Sequence, residues 1–97
     1  MFERLYSTSE STKVNFVGFV SENARYDFGI VYTNQFFGKP LVICMQTGRS
    51  SLMCAEDAQN LDVLKRKFAI STEDEARELA VFLESQLPHT DHAMTQY

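Results

Sequence analysis

Two β-forming runs near the start of the chain, VNFVGFV (14–20) and RYDFGIV (25–31), limit what it can become more than any other feature. A half-buried strand alternates apolar with polar, because successive side chains point to opposite faces. These two do not. With Ser21–Ala24 as the connecting turn and Val20 opposite Arg25, one face collects Val17, Phe19, Tyr26, Phe28 and Ile30. The other face collects Val14, Phe16, Val20 and Val31, with Arg25 and Asp27 at one end. In that register Phe16 lies across from Gly29, where an aromatic ring covers a glycine. A sheet apolar on both sides must be covered on both sides.

A third run, Pro40–Gln46, is two-sided in the same way, with Leu41, Ile43 and Met45 against Val42 and Cys44. Pro40 suits the first position of a strand, where its missing N–H costs little. Thr47-Gly48 reads as a two-residue hairpin turn, which puts Leu41, Ile43, Met45, Leu52 and Cys54 on one face; a type I turn with a glycine bulge would shift this by one. In neither register does Cys44 oppose Cys54, so the spacing predicts no disulfide between them.

After Ala55 the apolar period changes. Ala58, Leu61, Leu64 and Phe68 predict one helix over 55–68. Ser71-Thr72 followed by Glu73, Asp74 and Glu75 is a capping signal, with acids where the helix dipole favours them. The stripe Ala76, Leu79, Ala80, Leu83 and Leu87 predicts a second helix, ended by Pro88. The expected fold is therefore α+β: a four-stranded antiparallel meander followed by two helices packed on one face. Residues 1–12 form an N-terminal arm, 13–88 a single domain, and 89–97 a flexible tail.

Two helices cover one sheet face. The remaining face, with Val14, Phe16 and Val31, and extending on this reading to Val42 and Cys44, calls for a second subunit, and a homodimer is the favoured expectation. The alternative is that the arm folds back and seals the face with Phe2, Leu5 and Tyr6.

Between strands two and three lies Asn34-Gln35-Phe36-Phe37-Gly38-Lys39-Pro40, where large aromatics sit among turn-formers. Phe36, Phe37 and Lys39 read as an anchor for a protein partner or a small regulatory ligand; the alternative is a ring plugging the open end of the core. Arg49, in the 46–51 turn, adds a second contact point through turn amides and hydroxyls suited to an anion. Gly38-Lys39 lacks the remainder of a phosphate-binding loop, since Pro40 opens a strand.

Enzyme chemistry finds little support. The two histidines, His89 and His92, fall in the tail, far in sequence from both cysteines. His89-x-x-His92 has too few companions for a metal site, so neither metal nor cofactor is expected. A small enzyme or sensor with a pocket near Arg49, Ser51 and Cys44 is the second reading. Net charge −4, with nine Lys plus Arg, argues against nucleic acid. No run is long or apolar enough to enter a membrane, and the N-terminus lacks a signal-peptide pattern. Two cysteines without ligand spacing read as reduced thiols of a cytoplasmic protein.

The stretch RYDFGIVYTNQFFGKPLVICMQTGRS, together with MFERLY and EDEARELAVFLESQLP, resembles a family of small cytosolic proteins of Firmicutes built on a domain of unknown function. That resemblance implies a cytosolic location and brings no catalytic or binding residues with it. The reading is a non-enzymatic, self-associating module that binds through the 34–40 loop and the 46–51 turn.

Overall fold

The computed structural model describes residues 1–22 and 24–88. Four strands form an antiparallel meander, β1 (Val14–Val20), β2 (Arg25–Val31), β3 (Leu41–Cys44) and β4 (Ser50–Leu52), in the order β1-β2-β3-β4. The first hairpin has the expected register, Val20 with Arg25 and Phe16 with Gly29. It is tied at its turn by Ser21 N–H to Ala24 O at 2.8 Å.

The second hairpin closes differently. The two-residue hairpin turns, types I′ and II′, both require positive φ at the first central residue, which β-branched Thr47 resists. Instead Met45–Gly48 form a four-residue loop with Gly48 at φ 76°. Gly48 N–H reaches Cys44 O, and Cys44 N–H reaches Arg49 O, each at 2.8 Å. Leu41 therefore opposes Leu52, and Ile43 opposes Ser50. The shift is an even number of residues, so the face assignment of Leu41, Ile43 and Leu52 survives. Cys54 lies beyond the strand, and both thiols are free and buried.

The predicted helix 55–68 is two helices, α1 (Ala55–Ala58) and α2 (Leu61–Phe68). Asn60 breaks it: extended backbone and a side-chain oxygen accepting Val63 N–H make Asn60 an N-cap, not an interior residue. Helix α3 (Glu73–Glu84) starts where predicted, with Thr72 accepting Glu75 N–H. It ends before Pro88, and Leu87 reaches the core from the turn that follows.

All three helices lie on one side of the sheet. Phe28, Ile30, Val42 and Cys44 meet Leu64, Phe68, Leu79 and Leu83 in the core, with Phe28 and Phe68 edge to face at 5.4 Å. Antiparallel pairing of Ile30 with Val42 and Phe28 with Cys44 fixes the face of the last two. Val42 and Cys44 thus sit under the helices and are fully buried, correcting their assignment to the uncovered side. The arm, residues 1–13, has no regular structure, and Phe2, Leu5 and Tyr6 are exposed. The arm does not seal the second face. Residues 89–97, including His89 and His92, lie outside the described residues.

A sheet with one covered face makes an asymmetric prediction. Under dilute conditions Phe28→Ala should cost about 3–5 kcal/mol of unfolding free energy in urea titrations. Phe16→Ala, two sheet positions away but on the open side, should cost less than about 1 kcal/mol.

Candidate functional site

The open face is built by parity. In β1 the even-numbered residues Val14, Phe16 and Val20 point away from the helices, and β2–β4 add Val31, Leu41, Ile43 and Leu52. Phe16 is 72% exposed and Val20 75%. The Phe16 ring leans on Gly29: a Cβ there would stand 3.3 Å from Phe16 Cε1 and 3.8 Å from Met45 Sδ. Glycine at 29 leaves room for one edge of the ring to approach the sheet. The polar groups of this face neutralise one another at one end. Arg25 Nε lies 3.2 Å from Asp27 Oδ2, and Gln46 both donates to the Asp27 carboxylate at 2.7 Å and accepts its N–H at 2.9 Å.

The other end of the face carries the aromatic loop. Phe36, Phe37 and Gly38 follow one another at φ 54°, 65° and 75°, a left-handed turn in which two of three residues bear a Cβ. L-residues adopt this region at a cost of roughly 1–2 kcal/mol each. The turn is pinned at both ends. Gln35 N–H is held by Thr33 Oγ1 at 3.0 Å, and Gly38 N–H by Gln35 O at 3.1 Å. Pro40 is buried, and Lys39 Nζ contacts Asp57 Oδ2 at 3.0 Å. Phe37 is 100% exposed and Phe36 51%, so neither ring plugs the core.

Beside this loop a cavity of about 530 Å³ opens between the arm and the sheet. Val31, Leu41, Leu52 and Phe36 give it apolar walls; Thr8, Glu10, Thr12, Thr33 and Gln35 line the rest. The arm is moored there: Thr12 Oγ1 donates to Tyr32 O, the Thr33 hydroxyl to Glu10, and Asn34 N–H to Glu10 Oε2 at 3.0 Å. Those donors hold the Glu10 carboxyl below its usual range.

Phe36, Phe37 and Lys39 are together on one loop, but Arg49 is not with them. The loop enters β3 and the Arg49 turn leaves it, so strand β3, ~13 Å long at ~3.3 Å per residue, separates the two. The second reading fares no better for reactivity, since the Cys44 thiol is buried on the helix side while Arg49 is exposed on its turn. Cys54 is buried as the N-cap of α1, its N–H and Sγ directed at Asp57 Oδ2 at 3.1 and 3.3 Å. Among the described residues no group of His, Cys, Asp and Glu could hold a metal. No helix among them is long and apolar enough to cross a membrane.

Sequence reasoning missed Asp57 and Glu75. Partial burial pushes the Asp57 carboxyl up, but the Cys54 N–H, the Lys39 ammonium and the Cys54 thiol outweigh it and hold the carboxyl below its ordinary range. Glu75 is buried and accepts the Tyr26 hydroxyl at 3.2 Å and the Ser21 hydroxyl at 3.5 Å, tying α3 to the first hairpin. Burial, and then the Glu75 carboxylate, push the Tyr26 phenol up. A carboxylate in a helix's first turn reads as dipole compensation; only the register that places Tyr26 above it reveals the second task.

These features define a class: a small α+β domain with one helical layer, a bare apolar sheet face and a strained aromatic loop at its rim. The chain belongs to the SAV0927-like family, named after a Staphylococcus aureus protein and without an assigned function, over residues 5–85. No curated protein matches it.

Two measurements check the loop. Phe37→Gly should raise stability by up to about 1 kcal/mol, because glycine takes positive φ freely and the ring buries nothing. The Lys39–Asp57 pair should show in the acid limb. Asp57's lowered folded value means the pair contributes above the unfolded carboxylate range, ~4, and that contribution is lost as pH falls through the folded value. Lys39→Met should therefore be less stable than wild type at neutral pH, by less than about 1 kcal/mol for so exposed a pair, with the gap closing below pH ~3.

Proposed function

We propose that this chain is a non-enzymatic module that works as a self-associated assembly and binds a protein partner or small regulatory ligand through the 34–40 loop. A second copy laid against the open face buries Val14, Phe16 and Val31, with Leu41, Ile43 and Leu52 around them. One observation carries this reading: Phe16 stands 72% exposed on an apolar face, at a position that the arm, although close at hand, leaves bare. Monomeric proteins seldom leave contiguous apolar patches of this kind. Each such side chain contributes roughly 1.5–3 kcal/mol when fully buried. Several together offset an association cost on the order of 4–15 kcal/mol.

The loop supports the second half of the proposal. The strain at Phe37 buries no side chain, so it has no return within the fold, and it holds that ring out at the rim of the face. An exposed aromatic on a pinned backbone turn is the kind of residue that anchors contacts at interfaces. Arg49, at the far end of β3, belongs to a separate contact.

Size-exclusion chromatography with light scattering tests the assembly. Wild type should run above the mass of one chain, and Phe16→Glu at the mass of one chain with its helical signal intact. A wild type that stays monomeric at millimolar concentration would defeat the proposal.

A further inference from the structure

The free edge of β1 is a second, independent surface. Tyr32 donates its N–H to Lys13 O at 3.0 Å, so Lys13 and Tyr32 form a hydrogen-bonded pair of the antiparallel ladder. By alternation, Asn15, Val17 and Phe19 turn their backbone groups towards β2, and Val14, Phe16, Gly18 and Val20 turn theirs outward. Among the described residues no backbone hydrogen bond is recorded on that outer side. Edge strands are ordinarily guarded by charge, proline, a bulge or shortness. β1 is seven residues long, VNFVGFV, and has neither charge nor proline.

We infer that a second copy of this chain pairs antiparallel with β1, edge to edge, across a two-fold axis at Val17, joining two sheets into one of eight strands. The inference rests on the self-association proposed above and names a contact distinct from the open face.

The sequence of the edge chooses the partner. In VNFVGFV the pair equidistant from Val17 at the strand ends is identical, Val14 and Val20, and the inner pair sets a large residue against a small one, Phe16 and Gly18. The two-fold sets Val14 against Val20 of the partner subunit, both β-branched, and Phe16 against Gly18 of the partner subunit, where a ring meets no opposing side chain. All four of these residues have outward backbone groups, so the new ladder has hydrogen-bonded pairs where it needs them. Charge agrees: Lys13 comes level with the end of the partner's strand, next to Glu22 of the partner subunit, and each copy supplies both halves. The apolar surface also continues around the edge. A shallow groove lined by Phe19, Val20, Glu78, Val81 and Phe82 runs between β1 and α3, with Val81 71% exposed. The same two-fold brings α3 of each copy to that groove.

Cross-linking of the full chain under mild oxidation tests the register. Val17 is its own partner across the axis, in a non-hydrogen-bonded pair whose Cα atoms stand ~4.5 Å apart, within disulfide reach. Val17→Cys should convert almost entirely to a covalent dimer, and Ser50→Cys on the opposite edge should not; the native Cys44 and Cys54 are buried. Val20→Pro removes an outward donor without touching the β1–β2 ladder and should weaken association at least tenfold. Val20→Lys, which leaves the backbone unchanged, repeats the test if the proline variant fails to fold. An unlinked Val17→Cys chain, or Val20→Pro and Val20→Lys chains that associate like wild type, would overturn the edge. Loss of association in Leu41→Glu alone would remove this inference and leave the open-face reading standing, whereas a monomeric wild type would end both.

Discussion

One layer of helices serves a sheet that is apolar on two sides, and most of what is unusual about this domain follows from that mismatch. The helix side is saturated: Phe28, Ile30, Val42 and Cys44 are fully buried beneath Leu64, Leu79 and Leu83. All the sheet's contribution to the domain core comes from that side. Burial on the open side would contribute only when something outside this arrangement covers it. The open side is nevertheless shaped as a packed surface would be. Gly29 makes room for the edge of the Phe16 ring, and the charges of Arg25 and Asp27 are paired with each other.

The arm shows how the same constraint is left unresolved within one chain. Among the described residues its side-chain hydrogen bonds lie at the end of β2, where Glu10 meets Thr33 and Asn34 and Thr12 meets Tyr32. These moor residues 8–12 along the rim of the sheet, forming the wall of a cavity instead of a lid over Phe16. Phe2, Leu5 and Tyr6, beyond the mooring, remain in solvent. The hydrogen bonds from Thr33 and Asn34 lower the Glu10 carboxyl's pKa and so favour its charged form at the mooring.

Much of the fold is legible in the residues. The four-residue turn Ser21–Ala24 and the β-formers on either side fix the first hairpin, because a slip of one would turn every apolar side chain over. The N-terminus of α3 is written in Thr72 and its acids. What escaped depends on residues whose local choice competes with a longer pattern. Asn60 falls inside an unbroken helical period of apolar residues, yet its side chain gains more by capping α2 than by continuing α1. Thr47 resists positive φ, so the second hairpin lengthens its loop and lets Gly48 alone take that conformation. Nothing in NQFFGKP says that two phenylalanines will enter the left-handed region ahead of the glycine, and the plug and contact readings separate only on that point.

Electrostatics decides how the exposed surfaces can be used. A net charge of −4 per chain makes two copies repel at long range, but beyond ~8 Å at physiological salt that repulsion is largely screened. At contact range the relevant surfaces carry almost no unbalanced charge. The open face has one internal ion pair, and β1 has no charged residue between Lys13 and Glu22. The acids concentrate elsewhere, at the start of α3, where Arg77 spans Glu73 and Asp74. Net charge therefore acts mainly on the rate of encounter, and the strength of any contact at the face or the edge is set by apolar burial and backbone pairing. Raising the salt should leave such a contact intact or tighten it slightly, opposite to the response of an assembly held by ion pairs.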